Sequence, residues 1–295
     1  MKVTGKGMVG LGRAVELRAE NVELAYGRHI AVSGFNLDVP LGRITAVVGP
    51  NGSGKSTILR ALARLLRPRT GDIYLDGRAI HRLPTREVAR HLAILPQGPV
   101  APEVLTVEAL IWHGRYPHQG FLGVAEQNDR EAVAHAIAVT EMAEFTDRFI
   151  GTLSAGERQR AWIAMTLAQE TPILLLDEPT TFLDVRHQIE VMELLKSLNA
   201  EHGITIVMVL HDLNQAARYS HCLVAVRDGR VRRVGTPAEI LTPELLREVF
   251  GVEGSVIFDP DTGVPVCLPR ALAAKAYEPN GDAEIETHGA KECKP

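Results

Sequence analysis

The segment at residues 49–57 carries the residue types and the spacing that bind a polyphosphate. It reads Gly-Pro-Asn-Gly-Ser-Gly-Lys-Ser-Thr and fits the pattern G-x-x-x-x-G-K-[ST]. Gly52 and Gly54 let the backbone turn so that consecutive N–H groups point inward, and the helix that follows offers the positive end of its dipole. We expect Lys55 to reach the β- and γ-phosphates and the Ser56 hydroxyl to bind Mg²⁺. The alternative is a glycine-rich turn that happens to carry a lysine.

The segments on both sides of this loop favour the phosphate-binding interpretation. The apolar run at 44–48 predicts a buried strand that leads straight into the loop, and a helix is predicted at 56–67. The predicted nucleotide-binding residues of the loop are Gly49, Pro50, Asn51, Gly52, Ser53, Gly54, Lys55, Ser56 and Thr57.

Two adjacent carboxylates, Asp177 and Glu178, follow the four apolar residues at 173–176. Such a run indicates a central strand buried on both faces, and α/β sheets bind ligands at the carboxyl ends of these strands. Asp177 is suited to hold the Mg²⁺ shell, and Glu178 is suited to polarise a water for attack on a γ-phosphate. A solvated surface pair is disfavoured by the strand that precedes them.

Tyr26, Gln97 and His211 each lie at the end of a predicted strand. The Tyr26 ring could stack on an adenine, although spacing alone favours a partly buried strand aromatic. The Gln97 side-chain carbonyl could bind a metal or a water, but that signal is weak by itself. His211 follows the apolar run at 205–210, where a histidine could reach a γ-phosphate, while a lone histidine is usually structural.

Residues 153–157, Leu-Ser-Ala-Gly-Glu, predict the start of a helix. Ser154 and Glu157 have the spacing of a capping box, in which each side chain accepts a hydrogen bond from the other's backbone N–H. A helix N-terminus with the Ser154 hydroxyl and the Gly156 amide exposed is also an anion site. Both interpretations can hold together, so this is a second place where a phosphate could bind.

The elements that position these residues follow from the hydrophobic pattern. Alternating segments at 15–19, 22–26 and 35–39 predict an antiparallel β region with one solvated face. Residues 98–171 have mainly helical composition and indicate an insertion in the nucleotide-binding core. The apolar residues near the irregular segment 114–123 of this insertion are Trp112, Tyr116 and Phe121. Their side chains are either exposed and receive an element of a partner protein, or they close a small core of their own.

Composition restricts the class of protein further. The 295 residues carry a formal charge of −4, with 45% hydrophobic and 23% charged residues, which is ordinary for a globular protein and argues against a general nucleic-acid surface. The three cysteines are scattered, and no apolar run approaches the ~20 residues that span a bilayer. We predict a flexible leader at 1–14, one ATPase domain at 15–270 and a disordered polar tail at 271–295.

Taken in order, these motifs resemble the nucleotide-binding subunit of an ATP-binding-cassette (ABC) transporter over nearly all of 15–270. Tyr26 matches the adenine-stacking aromatic, the loop at 49–57 matches Walker A, and Gln97 matches the Q-loop. The resemblance implies an α/β fold with a P-loop NTPase (RecA-like) core, an N-terminal antiparallel β subdomain and an inserted α-helical subdomain. It also implies ATP and Mg²⁺ as ligands, with Ser56, Gln97 and Asp177 around the metal.

The later motifs extend the resemblance, with one departure. Residues 173–178 match Walker B with its catalytic Glu178, residues 181–184 match the D-loop that ends in Asp184, and His211 matches the switch histidine. Residues 153–157 match the signature, but Ala155 and Glu157 replace the family's usual glycine and glutamine. Alanine adds one methyl group and Glu157 completes the capping box, so we expect the phosphate contact to be kept.

The family resemblance implies a head-to-tail homodimer. Each ATP would lie between the P-loop of one subunit and Ser154, Gly156, Glu157 and Asp184 of the other. The segment after Gln97 would pass the motion to two integral-membrane permease subunits, and a substrate-binding protein would act indirectly. We expect the protein to bind peripherally at the cytoplasmic face of the cell inner membrane. We expect no nucleic-acid partner.

A finer resemblance concerns the cargo. The segments at 95–97, 211–220 and 249–251 are similar to those of importers of iron–siderophore complexes, haem and vitamin B12. None of these residues touches the cargo, so an importer of another substrate class is an alternative. A soluble ABC ATPase of DNA repair or translation is a second alternative, although no tandem cassette or long coiled coil is present. A P-loop kinase would leave 153–157 and His211 without a role.

Overall fold

The computed structural model describes residues 15–119 and 126–273, so the predicted leader, Phe121 and the tail beyond Ala273 lie outside the described residues. The strands, in chain order, are β1 (Leu17–Tyr26), β2 (His29–Asp38), β3 (Ile44–Val48), β4 (Thr70–Leu75), β5 (Arg78–Ala79), β6 (Leu92–Leu95), β7 (Ile173–Asp177), β8 (Thr205–Val209), β9 (Cys222–Arg227), β10 (Arg230–Gly235), β11 (Val252–Phe258) and β12 (Pro265–Leu272). The α-helices are α1 (Lys55–Leu62), α2 (Thr85–His91), α3 (Val107–Trp112), α4 (Gln127–Val139), α5 (Ala155–Ala168), α6 (Val185–His202), α7 (Leu213–Tyr219), α8 (Pro237–Ile240) and α9 (Pro243–Leu245).

A six-stranded sheet forms the centre of the fold, in the order β10-β9-β3-β8-β7-β6. Neighbouring strands from β9 to β6 are parallel, and β10 pairs antiparallel at one edge. Every residue of β3, β7 and β8 is buried. Along β3, Ile44 and Ala46 belong to one hydrophobic cluster, while Val47 belongs to the other. Because both faces are covered, these strands are continuous apolar runs, and the sequence predicted them close to their observed bounds.

The N-terminal β subdomain is a second sheet, antiparallel, in the order β2-β1-β4-β5. The two strands predicted at 15–19 and 22–26 are halves of the single strand β1. Asn21 has a φ of 47°, and the pairing with β2 changes register beside it. Buried residues therefore fall on odd positions before Asn21 and on even positions after it. This bulge explains why one strand has the sequence pattern of two.

Helix α1 is shorter than the predicted helix at 56–67. It ends at Leu62, and Arg64 takes the left-handed conformation with a φ of 62°. The N–H of Leu65 then donates to the carbonyl oxygen of Arg60 at 2.8 Å, which closes the last turn as a Schellman motif does. Glycine is the usual residue at this position, so an arginine there gave no stop signal in the sequence.

Helices α3, α4 and α5 form the inserted helical subdomain that the composition predicted. α3 begins after Thr106, whose hydroxyl accepts from the Ala109 N–H at 3.2 Å. Trp112 packs against the larger hydrophobic cluster, whereas Tyr116 is 78% exposed. Of these two aromatic residues, one therefore serves the core and the other is left on the surface.

The C-terminal part is a short helical region, α8 and α9, followed by the hairpin of β11 and β12. β12 continues to Leu272, past the predicted start of the tail at 271. The Asn214 side chain fastens the hairpin to α7, since it donates to the Cys267 carbonyl at 3.2 Å and accepts from the Cys267 N–H at 2.7 Å. Over 15–119 and 126–273, no helix has the length and hydropathy needed to cross a bilayer.

A buried ionic network holds the helical subdomain together. The Arg115 guanidinium, 3% exposed, donates to the Asp129 carboxylate at 2.9 Å, to the Ala168 carbonyl at 2.7 Å and to the Glu170 carboxylate at 2.7 Å. Asp129 lies in the first turn of α4, and Ala168 ends α5. The arginine therefore joins two helices through charges that are shielded from water.

Replacing Arg115 with alanine should lower the free energy of unfolding by about 3 kcal/mol, because the carboxylate of Asp129 would stay buried without its cationic partner and would keep only the hydrogen bond from the Glu126 N–H. Urea denaturation followed by circular dichroism would measure this loss. Arg130→Ala is the matched control, since Arg130 is exposed on α4, next to Asp129, and its removal should change stability by less than about 0.5 kcal/mol. Equal effects of the two substitutions would contradict the role given to the network.

Candidate functional site

Four parallel strands end side by side at one edge of the central sheet, in the order β3-β8-β7-β6. The loop at 49–57 follows β3, His211 follows β8, Asp177 ends β7 just before Glu178, and Gln97 follows β6. Ligands bind in α/β sheets outside the carboxyl ends of such strands. The structure therefore brings the predicted loop, carboxylates, glutamine and histidine to one place.

The phosphate-binding loop has a conformation that only glycine permits at several positions. Gly49 has a φ of 154°, and a Cβ there would lie 2.0 Å from the Val226 carbonyl oxygen. Gly54, with a φ of 104°, precedes α1. The Lys55 ammonium folds back over the loop and donates to the carbonyl oxygens of Gly49 and Pro50 at 2.9 and 3.0 Å. The loop thus forms a turn lined by backbone groups with a cation at its centre.

Burial sets the charge properties of this loop. Desolvation lowers the pKa of Lys55, while Glu178 and Asp177 act in the opposite direction. Desolvation also raises the pKa of Asp177, although the Ser56 hydroxyl donates to its carboxylate at 2.8 Å and partly offsets that effect. Burial therefore disfavours the charged forms of Lys55 and Asp177, and a ligand that brings a charge of opposite sign to each would stabilise those charged forms.

The residues at this edge fit both predicted ligands. Ser56 and Asp177 present a hydroxyl and a carboxylate, the hard oxygen donors that Mg²⁺ prefers. The Ser53 hydroxyl is buried without a hydrogen-bond partner in the described part of the chain, and the Lys55 ammonium donates to two backbone carbonyls. These donors match the oxygens of a polyphosphate.

Glu178 is the most densely bonded side chain of the site. Its Oε2 accepts from the Gln97 amide at 2.6 Å and from the Thr181 hydroxyl at 3.0 Å, and its Oε1 lies 2.5 Å from His211 Nε2. Glu178 also has a φ of 55°, in the left-handed region that is unfavourable for residues other than glycine. Thr181 begins the predicted D-loop, but its hydrogen bond to Glu178 was not predicted from sequence.

These groups line a cleft of about 450 Å³. It is lined by His29, Ala31, Asn51, Gly52, Ser53, Gly54, Lys55, Ser56, Thr57, Gln97, Glu178 and His211. The two β2 residues in this lining were missed, because an exposed strand start gives no sequence signal. Tyr26 does not line the cleft, but it pairs with His29 across the β1–β2 turn and is 47% exposed. Its adenine-stacking role therefore stays a prediction.

The signature residues and Asp184 do not line the cleft of their own chain. The capping box is present: the Ser154 hydroxyl accepts from the Glu157 N–H at 3.3 Å, and the Glu157 carboxylate accepts from the Ser154 N–H at 2.8 Å. That second bond lowers the pKa of Glu157. Asp184 caps α6 through the His187 N–H at 2.9 Å. Ser154 is exposed, as the sequence predicted, but Gly156 is buried, so the expectation of an exposed Gly156 amide is wrong for the single chain.

Fold and cleft together define an ATP-binding cassette, a P-loop ATPase with an antiparallel β subdomain and a helical subdomain. The ABC transporter family profile matches residues 32–181. A relative from Bacillus subtilis (strain 168), named "Probable siderophore transport system ATP-binding protein YusV", is 53% identical over 273 residues, which are 92% of this chain and 98% of the relative. The chain belongs to the ABC transporter family and is an ATP-binding subunit with ATPase activity coupled to transport.

Two solved structures agree with this assignment. One, assigned to an inward-facing metal-chelate type ABC transporter, superposes with a TM-score of 0.75 at 26% identity and covers 87% of this chain and 98% of that chain. The other is the dimeric cassette MJ0796, with a TM-score of 0.65, 30% identity, and coverage of 74% of this chain and 97% of that chain. Cassettes of this fold therefore occur as dimers.

Lys55→Ala should weaken ATP binding by roughly ten- to a hundredfold, because a charge-assisted hydrogen bond is worth about 1.5–3 kcal/mol. An equilibrium titration with a fluorescent ATP analogue would measure the dissociation constant. Lys196→Ala is the matched control, since Lys196 is exposed on α6 away from the cleft and its loss should leave binding unchanged. Unaltered affinity in Lys55→Ala would remove the lysine from the site.

Proposed function

We propose that the chain hydrolyses ATP between two copies of itself and so drives import of an iron chelate through separate permease subunits. The observation that carries the proposal is the convergence on Glu178. Three polar side chains from different parts of the chain fix one carboxylate in the cleft that also holds the phosphate-binding lysine. That arrangement suits a group that must orient a water for attack on a phosphate.

Each residue of the cleft then has a distinct task. The loop amides and Lys55 bind the β- and γ-phosphates, which fixes the phosphorus that is attacked. When bound, Mg²⁺ would be held by Ser56 and Asp177, with Gln97 beside it, and would neutralise charge on the transferred phosphoryl group. Glu178 accepts a proton from the attacking water, and His211 holds the Glu178 carboxylate in place beside the γ-phosphate. Tyr26 is the candidate that stacks on the adenine.

The proposed functional unit is a homodimer with the two cassettes head to tail. In one chain, Ser154, Gly156, Glu157 and Asp184 stay outside the cleft, so a partner's copies are free to close it over the phosphates. Three large apolar side chains near Asp184 in the sequence are exposed: Phe182 (89%), Val185 (72%) and Ile189 (48%). Apolar side chains gathered on an exposed surface suit a protein interface, and the ATP contacts to both subunits would form only in the closed state.

Partners at the membrane are proposed on related grounds. The segment after Gln97 exposes Val100 (91%) and Val104 (78%), and Tyr116 of the helical subdomain is also exposed. These side chains form a candidate docking surface for two integral-membrane permease subunits, which would place the protein peripherally at the cytoplasmic face of the inner membrane. The relative named for siderophore transport and the metal-chelate type structure support an iron–siderophore cargo. A substrate-binding protein that delivers this cargo to the permeases belongs to the same proposal.

Glu178→Gln should keep ATP binding and lower turnover at least about a hundredfold, because the amide cannot take the proton from water. The same variant should accumulate as an ATP-bound dimer, since hydrolysis is the step that reopens it. Phosphate release and sedimentation velocity would measure the two effects. Hydrolysis at the wild-type rate would show that another residue activates the water.

The assignment of the cargo is tested by reconstituting the protein in vesicles together with its co-expressed permease subunits. We expect ATP-dependent uptake of a ferric siderophore, and no uptake when the cassette carries Glu178→Gln. Haem and cobalamin should be assayed in the same preparation, because the resemblance included importers of both. Uptake of cobalamin or haem without ferric siderophore would overturn the iron-chelate assignment and leave the ATPase assignment intact.

A further inference from the structure

Gly156 of the signature touches the imidazole of His187, a residue of α6. A Cβ built at Gly156 would lie 2.4 Å from Cδ2 of that ring and 2.7 Å from Cγ. Gly156 lies in the first turn of α5 and does not have a positive φ, so its backbone conformation would accept alanine. The ring of His187 therefore occupies the space that a Cβ at this position would need, and it would have to move to admit one.

Asp184 fixes the orientation of that ring. Its Oδ1 accepts from the backbone N–H of His187 at 2.9 Å and lies 2.8 Å from the ring Nδ1. A carboxylate can only accept, so Nδ1 carries the proton. These hydrogen bonds, the backbone one first, lower the pKa of Asp184, which keeps the carboxylate charged. Asp184, His187 and Gly156 thus connect the end of the D-loop to the N-terminus of the signature helix.

The next residue, Gln188, points to the other side of the D-loop. Its amide donates to the Leu183 carbonyl at 3.0 Å, and its Oε1 accepts from the Gln215 amide at 2.6 Å. Gln215 lies in the first turn of α7, four residues after His211, and its N–H is capped by Asp212 at 3.0 Å. Gln188 therefore ties the D-loop to the helix that follows the switch histidine.

We propose that His187 and Gln188 are positioning residues that join the signature helix of each subunit to its own Glu178–His211 site. This inference rests on the proposed homodimer, in which the signature of one subunit contacts the ATP held by the other, while Glu178 acts on the ATP of its own subunit. A link between the two regions inside one chain therefore couples the two ATP sites of the dimer. The D-loop, which also supplies the Thr181 bond to Glu178, is the element through which the link passes.

The contact between His187 and Gly156 is tested by a double-mutant cycle in the full chain carrying Glu178→Gln. Sedimentation would give the dissociation constant of the ATP-bound dimer for Gly156→Ala, His187→Ala and the double variant. We expect Gly156→Ala to weaken the dimer roughly tenfold or more, because the ring must move. Removing the ring should recover much of that loss, so the double variant should dimerise more tightly than Gly156→Ala alone. A double variant no tighter than Gly156→Ala would overturn the contact.

Coupling is tested in the otherwise wild-type chain from the ATP dependence of hydrolysis. The wild type should show a Hill coefficient above 1, and both His187→Ala and Gln188→Ala should bring it close to 1 with little change in melting temperature. Arg186→Ala is the matched control, since that side chain pairs with Glu190 on the exposed face of α6 and its loss should leave the Hill coefficient unchanged. A Hill coefficient of 1 in the wild type, or one that neither substitution lowers, would overturn the coupling. A wild-type chain without ATPase activity would instead refute the proposed function.

Discussion

The site depends on one constraint of the sheet: parallel strands that are buried on both faces can place polar side chains in water only where they end. β3, β8, β7 and β6 are neighbours in the same direction, so their carboxyl ends form one edge. Each apolar run stops there, and the loop with Lys55, then His211, Glu178 and Gln97 follow directly. The distances within the site are therefore consequences of strand pairing, which fixes neighbours about 5 Å apart.

Burial makes this edge sensitive to its ligand. The ammonium of Lys55 and the carboxylate of Asp177 both have pKa values shifted against their charged forms by desolvation. A polyphosphate with a divalent cation supplies the opposite charge to each of them in one event. Because a ligand that binds only the folded protein stabilises it, we expect ATP binding to stabilise the folded cleft. The left-handed backbone at Glu178 fits this picture, since the surrounding hydrogen bonds hold a conformation that is otherwise unfavourable.

The sequence predicted the parts of the fold that have a strict period or a fixed motif. The first and last residues of β3, β7 and β8 differ from the predicted apolar runs by at most one residue. A strand buried along its whole length is apolar throughout, so its ends are visible in the sequence. Errors arose where local chemistry departs from the usual signal, as in the bulge at Asn21 and the arginine that ends α1 in place of glycine.

The loop at 49–57, Gln97, the carboxylates at 177–178 and His211 lie at one edge because each motif directly follows a strand of the central sheet, but the contacts of these residues were not predictable in the same way. The hydrogen bond from Thr181 to Glu178, the ring of His187 on Gly156 and the pairing of Gln188 with Gln215 join residues that no spacing rule relates. The buried Arg115 network belongs to the same class, since it depends on the packing of α4 against α5. Tertiary contacts between polar side chains need the folded chain to be seen.

In the proposed dimer, each ATP is shared between two chains. This sharing is tested by the distance from the γ-phosphate to the Ser154 hydroxyl of the facing protomer, in a crystal structure of the Glu178→Gln protein with ATP and Mg²⁺. We expect a hydrogen bond of roughly 3 Å, with Lys55 of the first protomer on the other side of the same phosphate. An ATP bound only by its own chain, with the partner's Ser154 more than about 10 Å away in a dimer formed through other surfaces, would contradict it.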